Sequence, residues 1–347
     1  MISSNVFRTT IGKFLQPLAG LLEDASVSEI MVNGHDTVYV ERKGKIQKTD
    51  AAFEDSNSLM TALRHISQYL NQSLGEDRLI VEGRLPDGSR FEAILPPLVE
   101  GGIHFTIRKF SKESLTLGKL VEFGAFDDPI RSFLERAVKT KKNIIVSGGT
   151  GSGKTSLLNA LTGACDPTER LVVIEDAREI QPQIPHCLRL ESKKANEHGK
   201  GHVGIRDLFK ATLRMRPDRI IVGEIRGGES IDLIQAMTSG HGGSMSTLHA
   251  DSPREALSRL ENMALMSNAD IPLQALRPQI ALGVDIVVQI ARFRCGGRGL
   301  KSIANIDYDQ KSNSYCLEPI ANRVFSNRSS GNLDDSTIEC SSVLEAV

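Results

Sequence analysis

Gly148-Gly149-Thr150-Gly151-Ser152-Gly153-Lys154-Thr155 decides how this chain is read. The stretch fits the phosphate-binding pattern G-x-x-x-x-G-K-[ST]. Its fixed positions match by accident in roughly one chain in a hundred of this length, so the flanks decide the matter. Before it, Asn143-Ile144-Ile145-Val146-Ser147 is a short apolar run with the pattern of a buried strand. After it, Ser156-Leu157-Leu158-Asn159-Ala160-Leu161 opens a helix. Strand, glycine loop and helix together let the backbone turn tightly and aim N–H groups at phosphate oxygens. The helix N-terminus adds positive partial charge at the same place. Gly148, Gly149, Thr150, Gly151, Ser152, Gly153, Lys154, Thr155 and Ser156 are therefore the candidate nucleotide-binding residues. Lys154 is placed to reach the β- and γ-phosphates, and the Thr155 hydroxyl to ligate Mg²⁺.

Bulk composition narrows the class. The chain has 347 residues, enough for two domains with sizeable cores. A net charge of −1 supplies no global basic field, and with 5% aromatics and no Trp there is no rich stacking surface. Direct nucleic-acid binding is not expected. Cys165, Cys187, Cys295, Cys316 and Cys340 lie far apart with no C-x-x-C pair, which indicates neither a zinc site nor a disulfide frame. With no signal peptide and no 18-residue apolar run, the expectation is a soluble cytosolic protein whose membrane link goes through partners.

The pattern divides the chain. Residues 1–110 look like a smaller α+β domain. Val27–Val32 is a strand; Thr37–Glu41 and Lys45–Gln47 flank Arg42-Lys43-Gly44 as a hairpin. Residues 56–70 carry Leu59, Leu63, Ile66 and Leu70 at helical spacing. Arg84–Phe91 is strand, tight turn, strand, and Ile103–Arg108 a further strand. Residues 111–127 are expected to link the domains, and Asp128-Pro129 to be an N-cap followed by proline at the first helical position. From 128 to 324 strands (Leu171–Glu175, Arg219–Gly223, Gly243–Leu248) alternate with helices (Ile205–Met215, Ser230–Ser239), the α/β pattern of a nucleotide-binding core. Residues 325–347, rich in Ser, Asn and Asp, are expected to form a flexible tail.

Two apolar runs end in carboxylates: Leu171-Val172-Val173-Ile174-Glu175-Asp176 and Arg219-Ile220-Ile221-Val222-Gly223-Glu224. Acids at the carboxyl ends of parallel strands stand beside a bound nucleotide, where one can hold Mg²⁺ through water and another can take a proton from attacking water. His241 and His249, eight residues apart in Gly240–Ala250, flank a β-like run. No further His or Cys stands at zinc-ligand spacing; either histidine could contact a γ-phosphate or be structural.

With these motifs in order, the chain resembles the secretion traffic ATPases of type II and type IV secretion systems and type IV pili, within them the CpaF-like branch close to the conjugation ATPases. Gly148–Thr155 matches the Walker A motif, Ile174-Glu175-Asp176 the Asp box, Arg219–Glu229 the Walker B region and Gly240–Ala250 the His box. Leu213–Asp218, Val27–Gly34, Arg84–Arg90 and Thr106–Phe110 match as well, so that the resemblance covers about residues 15–310. It implies a RecA-like ATPase domain behind the N-terminal domain, ATP and Mg²⁺ as cofactors, and a homo-oligomeric ring, in the family's usual form a hexamer. It also implies inner-membrane platform proteins as partners, a cytoplasmic place at the inner face of that membrane, and work on export, conjugation or pilus assembly. Glu175 would be the catalytic base, and Glu224 the Walker B acid that helps Thr155 hold Mg²⁺. His241 and His249 would couple to the γ-phosphate. Arg108, with Arg84 and Arg90, would reach the phosphates from the N-terminal domain. Many CpaF-like chains carry a longer N-terminal extension, which is not expected here, and no motif of the family is recognised in the polar tail from Phe325 onward. A phosphate-loop helicase or DNA-packaging motor would share the core, but the charge of −1 speaks against it. A nucleotide sensor without hydrolysis would not need Lys154, Thr155, Glu175 and Glu224 together.

Overall fold

The computed structural model describes residues 12–42, 44–75, 78–110, 115–195, 199–267, 271–325 and 336–340. The chain divides into two compact units, Met1–Glu113 and Ser114–Val347.

In the N-terminal unit, β1 (Val27–Asn33), β2 (Val38–Arg42), β3 (Lys45–Lys48), β4 (Ile80–Arg84), β5 (Arg90–Ile94) and β6 (His104–Arg108) form an antiparallel sheet in the order β3-β2-β1-β6-β5-β4. The helix α1 (Ser56–Tyr69) is started by Asp55, whose side chain accepts from Ser58 N at 2.7 Å. Its Leu59, Leu63 and Ile66 fall on one face and are fully buried with Phe91, Phe105 and Ile107 of the sheet. Each such side chain contributes about 1.5–3 kcal/mol on burial. Gly83 makes this packing possible, because a Cβ there would lie 2.5 Å from Leu70 Cδ2.

The C-terminal unit is built on a second sheet. Its strands are β7 (Ile144–Ser147), β8 (Leu171–Glu175), β9 (Cys187–Glu191), β10 (Arg219–Val222), β11 (Met245–Leu248), β12 (Ile286–Arg292), β13 (Arg298–Asp309), β14 (Ser314–Phe325) and β15 (Ser336–Cys340). They lie in the order β15-β14-β13-β12-β7-β11-β10-β8-β9. From β12 to β9 every pairing is parallel; β13, β14 and β15 add antiparallel strands beyond β12. The helices α2 (Leu117–Glu122), α3 (Asp128–Lys139) and α4 (Lys154–Thr162) lie on one face. On the other lie α5 (Ile205–Thr212), α6 (Glu229–Thr238), α7 (Pro253–Leu265) and α8 (Leu273–Gly283). Covered on both faces, β7, β8, β10 and β11 are buried at every residue, which is why they read as unbroken apolar runs. This is a RecA-like α/β domain preceded by a smaller α+β domain.

Three expectations change. The stretch expected to be a linker contributes α2 and buries Leu117, Ala125 and Phe126 in the C-terminal core, because these apolar positions have a sheet face to cover. The N-cap of α3 is Asp127, whose side chain accepts from Ile130 N at 3.2 Å, so the cap falls one residue before the expected Asp128. Within the expected tail, Ser336–Cys340 forms β15 against β14, since an edge strand satisfies its backbone by pairing despite polar side chains. The rest of 326–347 lies outside the described residues.

At the amino end of the sheet, Arg219 is 1% exposed; its Nε donates to Glu169 Oε2 at 2.5 Å and its Nη2 to Val138 O at 2.8 Å. The arginine of the Walker B stretch is thus a tie between β10 and the end of α3, far along the strand from its carboxyl end.

Candidate functional site

Six parallel strands end at one edge of the C-terminal sheet, and four of them, β7, β8, β10 and β11, lead into the polar groups of the site. β7 runs straight into the glycine loop. Gly148 passes so close to β12 that a Cβ would meet Ile290 O at 2.5 Å. Gly151 and Gly153 sit at φ 68° and 98°, where a side chain would be strained. The loop therefore exposes backbone N–H groups at the start of α4, which opens at Lys154.

Lys154 is only 7% exposed. Its Nζ donates to Gly148 O and Gly149 O, both at 3.0 Å, and lies 3.3 and 3.4 Å from Nδ1 and Nε2 of His249, the first residue after β11. Burial, then the ammonium of Lys154, push the His249 imidazole below its ordinary range, while Glu224 pulls the other way. His249 is therefore a neutral ring at physiological pH, and its approach of Nε2 to Glu224 Oε1 at 2.7 Å is a polar contact rather than an ion pair. Glu224 Oε1 is buried, with His249 Nε2 the polar atom set against it. The other oxygen, Oε2, accepts from Arg226 Nε at 2.8 Å and from its Nη2. The Arg226 side chain is 61% exposed, a setting in which an ion pair contributes about 0.2–1 kcal/mol to stability. The contact aims the carboxylate more than it holds the fold.

Glu175, the last residue of β8, is 3% exposed. Its Oε1 accepts from Glu179 N at 2.8 Å and Ile180 N at 2.9 Å, while its buried Oε2 accepts nothing. Burial raises the carboxyl above its ordinary range, and the two backbone hydrogen bonds only partly oppose this. A desolvated carboxylate with one open oxygen, fixed in orientation by the other, has the attributes of a general base. Gly223 is what admits it: a Cβ there would lie 2.9 Å from Glu175 Cγ. Gly223→Ala is expected to displace Glu175 and lower kcat by about tenfold or more while the nucleotide Kd stays within about twofold. Steady-state kinetics beside a binding titration check this, and an unchanged kcat counts against the placement of Glu175.

The residues fit a nucleotide and Mg²⁺. The open backbone of the loop forms a cradle. The carboxylate of Glu224 and the hydroxyl of Thr155, on the first turn of α4, are hard oxygen donors of the kind Mg²⁺ takes.

With the loop, both acids and His249 on one sheet edge, the comparison with known sequences falls into place. The sequence model of the type II/IV secretion system protein family matches residues 13–323. The chain belongs to this family. The conjugal transfer protein TrbB of Rhizobium radiobacter is 34% identical over 304 residues, 86% of this chain and 90% of TrbB. The type IV secretion system protein VirB11 of Brucella suis is 32% identical over 322 residues, 85% of this chain and 89% of VirB11. Among solved structures, the Legionella pneumophila ATPase DotB superposes with a TM-score of 0.61 at 19% identity, over 87% of this chain and 82% of DotB, a likeness of fold.

Not every residue expected in this family member's site is brought to it. His241 precedes β11 at its amino end, where its N–H donates to Ala236 O at 3.2 Å and its own carbonyl accepts from Ser244 Oγ at 2.8 Å. The glycine beside it, Gly242, packs near Lys141, ahead of β7. A strand advances about 3.3 Å per residue, so β11 itself holds His241 away from the loop and His249 beside it. The phosphate-coupling role expected for His241 is therefore withdrawn within this subunit.

Arg84, Arg90 and Arg108 belong to the N-terminal unit. There the register sets Arg84 opposite Arg90 and Arg90 opposite Arg108, with Glu29 next in the row opposite Arg108. Phe91 and Ile107 alternate with them into the core, so the row stands on the face away from it. Sequence reasoning assigned no role to Arg226, although it lies two residues beyond Glu224 in the quoted motif. Nor did it single out Arg292 and Arg298, which lack any motif and reach the loop through strand pairing.

Proposed function

We infer that the protein works as the motor subunit of a type IV secretion or conjugation machine, a homo-oligomeric ring whose domains shift as ATP is hydrolysed. It is an ATPase of the type II/IV secretion family. The observation that carries the reading is the convergence at one sheet edge of Lys154, Glu175, Glu224 and His249 around the glycine loop. TrbB and VirB11, at 34% and 32% identity, point to conjugation and type IV secretion rather than to pilus assembly.

In this reading Gly148–Ser156 bind the nucleotide through loop N–H groups, and Lys154 leaves its own carbonyls for phosphate oxygens. Thr155 and Glu224 would hold Mg²⁺. Bound Mg²⁺ supplies positive charge against the phosphate oxygens as negative charge builds on the leaving group. Glu175 takes the proton from the attacking water. His249, neutral and wedged between Lys154 and Glu224, senses the γ-phosphate by hydrogen bonding. For Arg108, with Arg84 and Arg90 beside it in the row, we propose a part in hydrolysis. Among the described residues no helix is long and apolar enough to cross a membrane. We place the ring at the cytoplasmic face of the inner membrane, docked on platform proteins of the machine.

A ring closed by a heterologous interface makes each subunit's turnover depend on its neighbours. Specific ATPase activity is therefore expected to rise with protein concentration. Mixing in inactive Lys154→Ala subunits at equal concentration should lower activity clearly below the half left by dilution. Light scattering run in parallel with Mg²⁺ and ATP reads the assembly. A strict monomer with concentration-independent turnover overturns the ring and the motor together.

A further inference from the structure

Beyond the glycine loop and its two acids, the same sheet edge carries a pair of arginines. β12 and β13 are joined by a tight turn, closed by Phe293 N donating to Gly297 O at 2.8 Å and Gly296 N to Phe293 O at 2.9 Å. At the root of this hairpin the register is regular: Ile290 opposite Leu300, Ala291 opposite Gly299, Arg292 opposite Arg298. Side chains alternate between faces along a strand. Ile290 and Leu300 are buried in the core that holds Leu157, Leu158 and Leu161 of α4. The next pair on that face is Arg292 and Arg298, so both must emerge beside the start of α4. They do: a Cβ built on Gly151 would lie 3.7 Å from Arg292 Nη1, and one built on Gly153 would lie 3.8 Å from Arg298 Cδ. Both side chains are exposed.

We propose that Arg292 and Arg298 form a cationic clamp on the flank of the phosphate loop that binds the α- and β-phosphates of the nucleotide. The proposal rests on the ATP-binding reading of that loop. Its chemistry is that of the fork: guanidinium groups present paired N–H donors that match phosphate oxygens, and they stay charged throughout the usable pH range. Its geometry is a division of labour. Lys154 Nζ lies on the His249 and Glu224 side of the loop, where the acids stand and hydrolysis takes place. The arginines approach the middle of the loop and the residue that caps α4 from the direction of β12. Phosphates common to ATP and ADP lie nearer the helix start, so the clamp holds substrate and product alike. Held on a hairpin between two paired strands, the clamp is also carried by the sheet and not by a free loop.

Calorimetric titration of the full chain with ATP and with ADP, without Mg²⁺ so that no hydrolysis occurs, tests the proposal. Arg292→Gln and Arg298→Gln should each weaken both nucleotides by about five- to tenfold, and the double variant by about thirtyfold or more. A second measurement needs no variant: modification of wild-type protein by an arginine-specific reagent, mapped by mass spectrometry, should be suppressed at Arg292 and Arg298 by ADP. Wild-type affinity in the double variant, a loss confined to ATP, or modification at both arginines indifferent to ADP overturns the clamp. Lys154→Ala in the same titration separates the two ideas. If it loses affinity while the arginine variants do not, the clamp alone fails; if it binds as wild type, the reading of the loop fails and the clamp with it.

Discussion

Lys154→Ala is expected to take ATP hydrolysis to background, a loss of 10³-fold or more on the order expected for removing a preorganised cation from a phosphoryl-transfer site. The physical argument starts from burial. Lys154 is 7% exposed, and its ammonium lies against two loop carbonyls and His249. A strongly hydrated charge held so far from water is costly to keep, and relief of that cost offsets the loss of its hydrogen bonds to the buried Gly148 carbonyl and the half-buried Gly149 carbonyl. Removing the side chain should therefore cost the fold little, within about 1 kcal/mol, and shift the melting temperature by no more than about 4 °C. Circular dichroism melting alongside a coupled ATPase assay reads both quantities. A folded variant with wild-type turnover would remove Lys154 from the mechanism.

How much of this was legible in the sequence follows from how local each signal is. The glycine loop is eight consecutive residues between a buried strand and a helix, and it could be read whole. Glu175 and Glu224 were legible because β8 and β10 are buried on both faces and therefore read as apolar runs that stop at an acid. The outer strands were not. β13 and β14 are twelve-residue strands with polar residues such as Lys301, Asn305, Asp307 and Glu318 between buried Ile303, Ile306 and Ile320. Their identity depends on partners distant along the chain, which no local window contains. The same holds for Arg292 and Arg298, which reach the loop by register alone. His241 and His249 share one motif, and only the strand between them decides that one faces the loop and the other does not. Arg219 belongs to the quoted Walker B stretch, yet its contacts with Glu169 and Val138 make it structural. A motif's letters mark a strand and its end together, without saying which residue serves which.

Glu175→Gln is expected to lower kcat by 10²- to 10⁴-fold, on the order that general-base catalysis supplies, with ATP affinity nearly unchanged. Glutamine keeps the shape, and its oxygen still accepts from Glu179 N and Ile180 N. What it cannot do is take a proton. The wild-type pH profile carries a second signature. Burial raises the Glu175 carboxyl above its ordinary range, so the ionised base accumulates only at higher pH than for an exposed glutamate. The acid limb of kcat should therefore lie above the usual carboxylate range, with rate increasing as pH rises through the raised value. In the glutamine variant that limb should vanish and leave a flat residual rate. Stability moves with the same titration. The folded state binds this proton more tightly than the unfolded state does, so Glu175 contributes stability that is fully present below its unfolded value and lost as pH rises through the folded one. At neutral pH the buried carboxylate is a net cost, and glutamine carries no such term. The melting temperature of the variant relative to wild type should accordingly improve as pH is raised from the acid side to neutrality. If the acid limb persists in Glu175→Gln, the titrating base is another group, and Glu224, whose buried Oε1 lies against His249 Nε2, is the next candidate.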